Sequence, residues 1–144
     1  MSQEVLAAQQ WLNQTYGHIS GYCEVEETGL PGTATSYALV SAFQIEIGMS
    51  TITGVFGEMT AEQLDWINGY DDKRLELGRS HNRVKIVQYG LYAKGYDPGS
   101  ASGTYDASTG AAIREIVSDA GVDLGENPVV TPLVAKAILG VDEY

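Results

Sequence analysis

The chain has 144 residues and a mass of 15.4 kDa, with 44% hydrophobic and 19% charged residues, which fits a globular protein of one ordinary domain or two very small ones. Eight Lys and Arg stand against 19 Asp and Glu, a net charge of −11, and residues 1–72 carry no Lys or Arg at all; a chain with this field repels DNA, RNA and anionic lipid, so neither a nucleic acid nor a membrane is an expected partner. Cys23, the single cysteine, rules out an internal disulfide and a Cys-rich metal site, Met1-Ser2-Gln3-Glu4 has no signal-peptide pattern, and no stretch reaches the ~18 apolar residues of a membrane span.

In chain order, Val5, Ala8 and Leu12 fall at i, i+3 and i+7 and predict a first helix with one apolar face. Ile19 to Glu27 reads as a loop, with Tyr22 to Glu27 extended, and Thr28-Gly29-Leu30-Pro31-Gly32 as a glycine-bearing turn. A central helix follows, in which Ala38, Leu39, Ala42 and Phe43 make a wide apolar stripe and Gly48 is placed to end it. After a turn at Gly54, Thr60-Ala61-Glu62-Gln63 has the form of a capping box and predicts a short helix from about Ala61 to Ile67. The polar stretch around residues 70–82 reads as a linker.

The second half runs through the same order. Val84, Val87, Gln88 and Leu91 match Val5, Ala8, Gln9 and Leu12 at an offset of 79. Gly103 to Val117 matches Gly29 to Phe43 at an offset of 74, with Thr109 on Thr35, Asp106 placed as an N-cap and Gly121 as the terminator. Gly125 and Thr131 match Gly54 and Thr60 at an offset of 71, and Thr131-Pro132 opens a third helix reaching about Leu139. The reading is therefore all-α: residues 1–69 form a first three-helix unit, 70–82 a linker and 83–144 a second, divergent unit. Units this small are marginal alone, so the two are expected to pack as one body.

This order resembles the peptidoglycan-binding repeat of bacterial wall hydrolases: a helix with Gln9-Gln10-Trp11-Leu12, a glycine turn, a helix with Thr35-Ser36-Tyr37-Ala38-Leu39 and Phe43-Gln44, then Gly54-Val55-Phe56-Gly57 and Thr60. The second half keeps Gln88-Tyr89-Gly90-Leu91, Gly103-Thr104-Tyr105, Thr109 and Ala112-Ile113, but has Val117-Ser118 in place of Phe43-Gln44. The phrases Gln10 to Asn13, Ala42 to Gly48 and Gln88 to Tyr92 are also similar to the N-terminal region of Gram-positive proteins with a downstream glycoside-hydrolase-like domain. The resemblance implies a non-catalytic module that binds peptidoglycan, by glycan strand or stem peptide, and works at the cell wall, covalently linked to a catalytic domain. The alternative it leaves is a structural or protein-interaction spacer.

Nine tyrosines against two phenylalanines favour rings with a polar handle. By the resemblance the ligand groove lies near the first helix and the glycine turn, which nominates Tyr16, Tyr22, Tyr37 and Gln44 in the first half and Tyr89, Tyr92, Tyr96 and Tyr105 in the second. Trp11 and Trp66 are expected inside the core. Cys23, His18 and His81 show no nucleophile-and-base spacing, and Glu24, Glu26 and Glu27 read as a solvated loop face instead of a carboxylate pair. No metal-ligand or phosphate-loop pattern occurs, so no cofactor, no metal and no catalytic residue is expected.

Overall fold

The structure, a computed structural model, describes residues 2–70 and 73–140. It contains six helices: α1 (Gln3–Tyr16), α2 (Thr33–Glu46), α3 (Glu58–Asn68), α4 (Asn82–Ala93), α5 (Ala107–Asp119) and α6 (Pro132–Leu139). Among the described residues there is no strand; the only extended pairing is an isolated bridge between Ser80 and Thr104. The chain is all-α, as its periodicity predicts.

Local chemistry sets the helix ends. The Ser2 hydroxyl accepts from Val5 N at 3.2 Å, and the Asp106 carboxylate accepts from Thr109 N at 2.9 Å, each satisfying one of the orphan amides of a first turn. At the far ends, Gly48 and Gly121 take φ of 85° and 87°, the left-handed conformation in which a side chain is strained. Pro132 occupies the first turn of α6 behind Thr131, as predicted. The third helix departs from expectation. It starts at Glu58 after Gly57, and Thr60 lies buried inside it with its hydroxyl turned to Gln44. Thr60 is thus a packing partner and not a cap.

The predicted stripes meet in one core. Ala38, Leu39, Ala42 and Phe43 are at most 1% exposed, and Ile113 is fully enclosed. Each large aliphatic buried this way stabilises by about 1.5–3 kcal/mol. The central element is α4, packed against α1, α2, α5 and α6, while α3 packs on α6 from the other half of the chain. Gly90 permits the α4–α6 approach, because a Cβ there would lie 2.7 Å from Leu139 Cδ2 and 2.8 Å from Ile138 Cγ2. Residues of both halves fall in a single apolar cluster, so the body is one unit.

A further expectation, that Trp66 lies inside the core, needs correction. Trp66 does not enter the core and is 57% exposed. Within the polar stretch after α3, Leu75 is fully buried, and its carbonyl accepts from Val130 N at 2.9 Å.

Candidate functional site

Three buried glutamines organise the turns where a ligand groove is expected. Gln9, on α1, accepts with Oε1 from Thr28 N (2.9 Å) and Gly29 N (2.8 Å), and donates with Nε2 to Leu30 O and Thr35 Oγ1, both at 3.1 Å. Gln88, on α4, repeats the pattern: Oε1 accepts from Gly103 N at 2.8 Å, and Nε2 donates to Thr104 O and Thr109 Oγ1, both at 2.9 Å. Gln44, on α2, holds the next turn by accepting from Thr53 N and Gly54 N at 3.0 Å and donating to Val55 O and Thr60 Oγ1 at 2.9 Å. A buried amide is tolerated only when its donors and acceptors are met, and here the backbone of a turn meets them. Each glutamine therefore converts a flexible glycine turn into a fixed wall.

The nominated side chains divide into two groups. Gln44, Tyr16 and Tyr105 are at most 2% exposed and Tyr89 is 9% exposed. The Tyr16 hydroxyl donates to Glu46 Oε2 at 2.6 Å and that of Tyr105 to Pro128 O, so both polar handles are used inside the protein. Gln44 likewise faces its own turn, and these residues can act on a ligand only through the surfaces they hold. Tyr22, Tyr37, Tyr92 and Tyr96 reach the surface. Tyr22 donates to Asn13 Oδ1 at 2.8 Å and Tyr96 to Asp119 Oδ2 at 2.6 Å.

Trp11, Tyr16, Tyr22 and Tyr89 form a continuous ring cluster: Trp11 lies 5.5 Å from Tyr16 and 5.6 Å from Tyr89, and Tyr16 lies 6.2 Å from Tyr22. Lys85 Nζ stands 5.1 Å over the Trp11 ring. Burial pushes the phenols of Tyr16, Tyr22, Tyr89, Tyr92 and Tyr105 above the ordinary value, and Glu46 adds to the shift at Tyr16. The cluster joins α1 to α4 and is more seam than pocket.

Open grooves lie elsewhere. One of about 220 Å³ runs past Tyr37, Val40, Gly54, Phe56 and Lys136, and continues along Phe56 and Lys136 to Leu133. Its glycine matters, since a Cβ on Gly54 (φ 77°) would lie 3.1 Å from Tyr37 O and 2.9 Å from Cys23 Sγ. A second groove, of about 520 Å³, follows α5 past Gly110, Arg114, Asp119 and Asn127. A third, of about 480 Å³, lies between α3 and the start of α4 and is bordered by Trp66. The sequence reading assigns Trp66 to the core and does not nominate Lys136. The signal for Trp66 was available: Thr60, Leu64 and Ile67 define the buried face of α3, and position 66 falls off it.

Among the described residues no set of three or more His, Cys, Asp or Glu could hold a metal ion. Glu24, Glu26 and Glu27 are exposed, and Cys23 Sγ has Gly21 O at 4.0 Å. No helix among the described residues is long and apolar enough to cross a membrane.

Comparison with known proteins adds to this geometry. Residues 80–121 match the family described as "Putative peptidoglycan binding domain", a stretch that contains α4, the turn held by Gln88 and α5. Over all 144 residues the chain is 40% identical to Uncharacterized protein FadG and 33% identical to Uncharacterized protein YbfG, both of Bacillus subtilis (strain 168). It spans only 24% and 19% of the length of those relatives. No solved structure gives a significant match.

Proposed function

We propose that this chain is a non-catalytic wall-binding module made of two three-helix repeats, residues 1–69 and 83–144, joined through 70–82, and that it holds a longer cell-wall hydrolase against peptidoglycan. The observation that carries the reading is the glutamine clamp. The segment similar to peptidoglycan-binding domains contains Gln88 with its partners Gly103, Thr104 and Thr109, and the first half has Gln9 in the same relation to Gly29, Leu30 and Thr35. Two related binding faces on one body gain from multivalency on a polymer, where the second contact is intramolecular. A net charge of −11 makes contacts of shape and hydrogen bonding the workable ones on a wall that also carries anionic polymers. The surface positions of Tyr22, Tyr37, Tyr92 and Tyr96 support a ligand-contact role for these four among the nominated residues, with Tyr37 beside the groove of Phe56 and Lys136.

The test is cosedimentation with teichoic-acid-free peptidoglycan sacculi at low salt and at about 0.5 M salt, where long-range charge effects are screened. The chain is expected in the pellet under both conditions, with Tyr37→Ala reducing the bound fraction while leaving helical content unchanged. If the protein stays in the supernatant with sacculi of several stem-peptide types, the binding reading falls and a spacer role replaces it.

A further inference from the structure

The groove between α3 and the start of α4 exposes a side chain that the fold does not use. Trp66 is 57% exposed, its ring meets Tyr70 edge-on at 5.2 Å, and Lys73 Nζ stands 5.4 Å over Tyr70. An isolated exposed apolar residue needs no explanation, but this indole forms one wall of a recess of about 480 Å³, within the ~300–1,000 Å³ range of ligand sites. Hydrogen bonds within the fold orient three of the polar side chains around the recess. Gln63 Nε2 donates to Ile47 O at 2.7 Å, and Glu46 Oε2 accepts from Tyr16 at 2.6 Å and from Asn82 Nδ2 at 3.4 Å.

The charge distribution points the same way. Of eight Lys and Arg residues in a chain of net charge −11, five fall between Lys73 and Lys85, and two of them line this groove together with Glu46: Lys73, which is exposed, and Arg83, which is buried. Glu76, the one acid in that stretch, is engaged by Arg74 and Arg79 at 3.6 and 3.3 Å. The most cationic segment of an acidic protein thus lies beside its most exposed tryptophan.

We infer that this groove binds an acidic amino-sugar unit of the glycan strand: a pyranose face on the Trp66 indole, acetamido and hydroxyl groups on Gln63 and Asn82, and a free lactyl carboxylate toward the exposed Lys73. The inference rests on the wall-binding reading above and names its substrate class. A flat π face complements the C–H face of a sugar ring, and an ammonium or guanidinium group complements a carboxylate. In intact peptidoglycan the stem peptide occupies the lactyl carboxyl as an amide. The free acid exists on strands from which the stem has been cut, so the ligand is denuded glycan, the product of an amidase-class reaction.

Calorimetric titration with the disaccharide N-acetylglucosaminyl-N-acetylmuramic acid tests this, alongside chitobiose, which lacks the carboxylate, and the same disaccharide carrying its stem peptide. The free acid is expected to bind best. Trp66→Ala should lower its affinity about tenfold, the loss of one aromatic stacking contact, and Lys73→Met should erase the preference over chitobiose. Both side chains are exposed, so both variants are expected to keep the wild-type helical signal. Equal affinity for chitobiose, tighter binding of the peptide-bearing form, or no effect of Trp66→Ala overturns the proposal. Cosedimentation with sacculi in the absence of any disaccharide binding sinks this groove alone; failure of both assays removes the wall-binding reading as well.

Discussion

The two halves of the chain solve the same local problem with different means. In the first, both glycine turns are held by glutamines from neighbouring helices: Gln9 grips residues 28–30, and Gln44 grips residues 53–55. In the second, Gln88 grips the first turn, but the position matching Gln44 is Ser118, which is exposed. The segment leading to α6 is held from within by Tyr105, which donates to Pro128 O, and from outside by Asn68 Nδ2, which donates to Val130 O at 2.9 Å, and by Leu75 O, which accepts from Val130 N at 2.9 Å. The first half carries its own fasteners, whereas the second borrows two from α3 and the stretch after it. Where the second half has no counterpart of Gln44, hydrogen bonds from Asn68 and Leu75 hold the turn instead, and they tie the two halves together.

The largest expected effect uses base to ask whether the halves can be separated. Tyr16 and Tyr22 in the first half and Tyr89, Tyr92 and Tyr105 in the second all hold their protons more tightly folded than unfolded. A raised folded value means that this contribution to stability is complete below the unfolded value of about 10 and is lost as pH rises through the folded values. Circular dichroism and tyrosinate absorbance should therefore report unfolding above about pH 10 as one transition. Two resolved steps would mean that the halves are independent and that the borrowed contacts count for little.

Next is Leu75→Ala. A fully buried leucine truncated to alanine costs about 3–4 kcal/mol. If the stretch after α3 were only a connection the loss would be near zero, so denaturant unfolding separates the two cases.

The contrast between fasteners explains what the sequence reveals. Helical stripes such as Val5, Ala8 and Leu12 were legible because burial of a helix face imposes its own period. The pairing of Gln9 with Thr35 and of Gln88 with Thr109 shows in sequence only as aligned polar letters, since a buried amide has the same composition signal as an exposed one. For the same reason Gln44 looked available to ligand while every contact it makes is internal. The tyrosines could not be sorted by type, since Tyr16 and Tyr22 differ in burial and not in kind, and Leu75 and Leu77 read alike in a charged stretch although Leu75 is fully buried and Leu77 is 49% exposed. Trp66 has the apolar character of a core residue, yet its position off the α3 stripe turns it to solvent.

The smallest effect comes from comparing Gln44 with its counterpart directly. Gln44→Ala strips partners from Thr53 N, Gly54 N and Val55 O together, and the uncompensated desolvation of those groups is expected to cost about 2–3 kcal/mol. Ser118→Ala touches an exposed hydroxyl and is expected to stay within about 0.5 kcal/mol. Chemical denaturation of both variants measures the difference. If Gln44→Ala proved as mild as Ser118→Ala, the 53–55 turn would be held by the packing of Phe56 and not by the amide, and the glutamine clamp would lose its standing as the device that shapes the groove beside Tyr37.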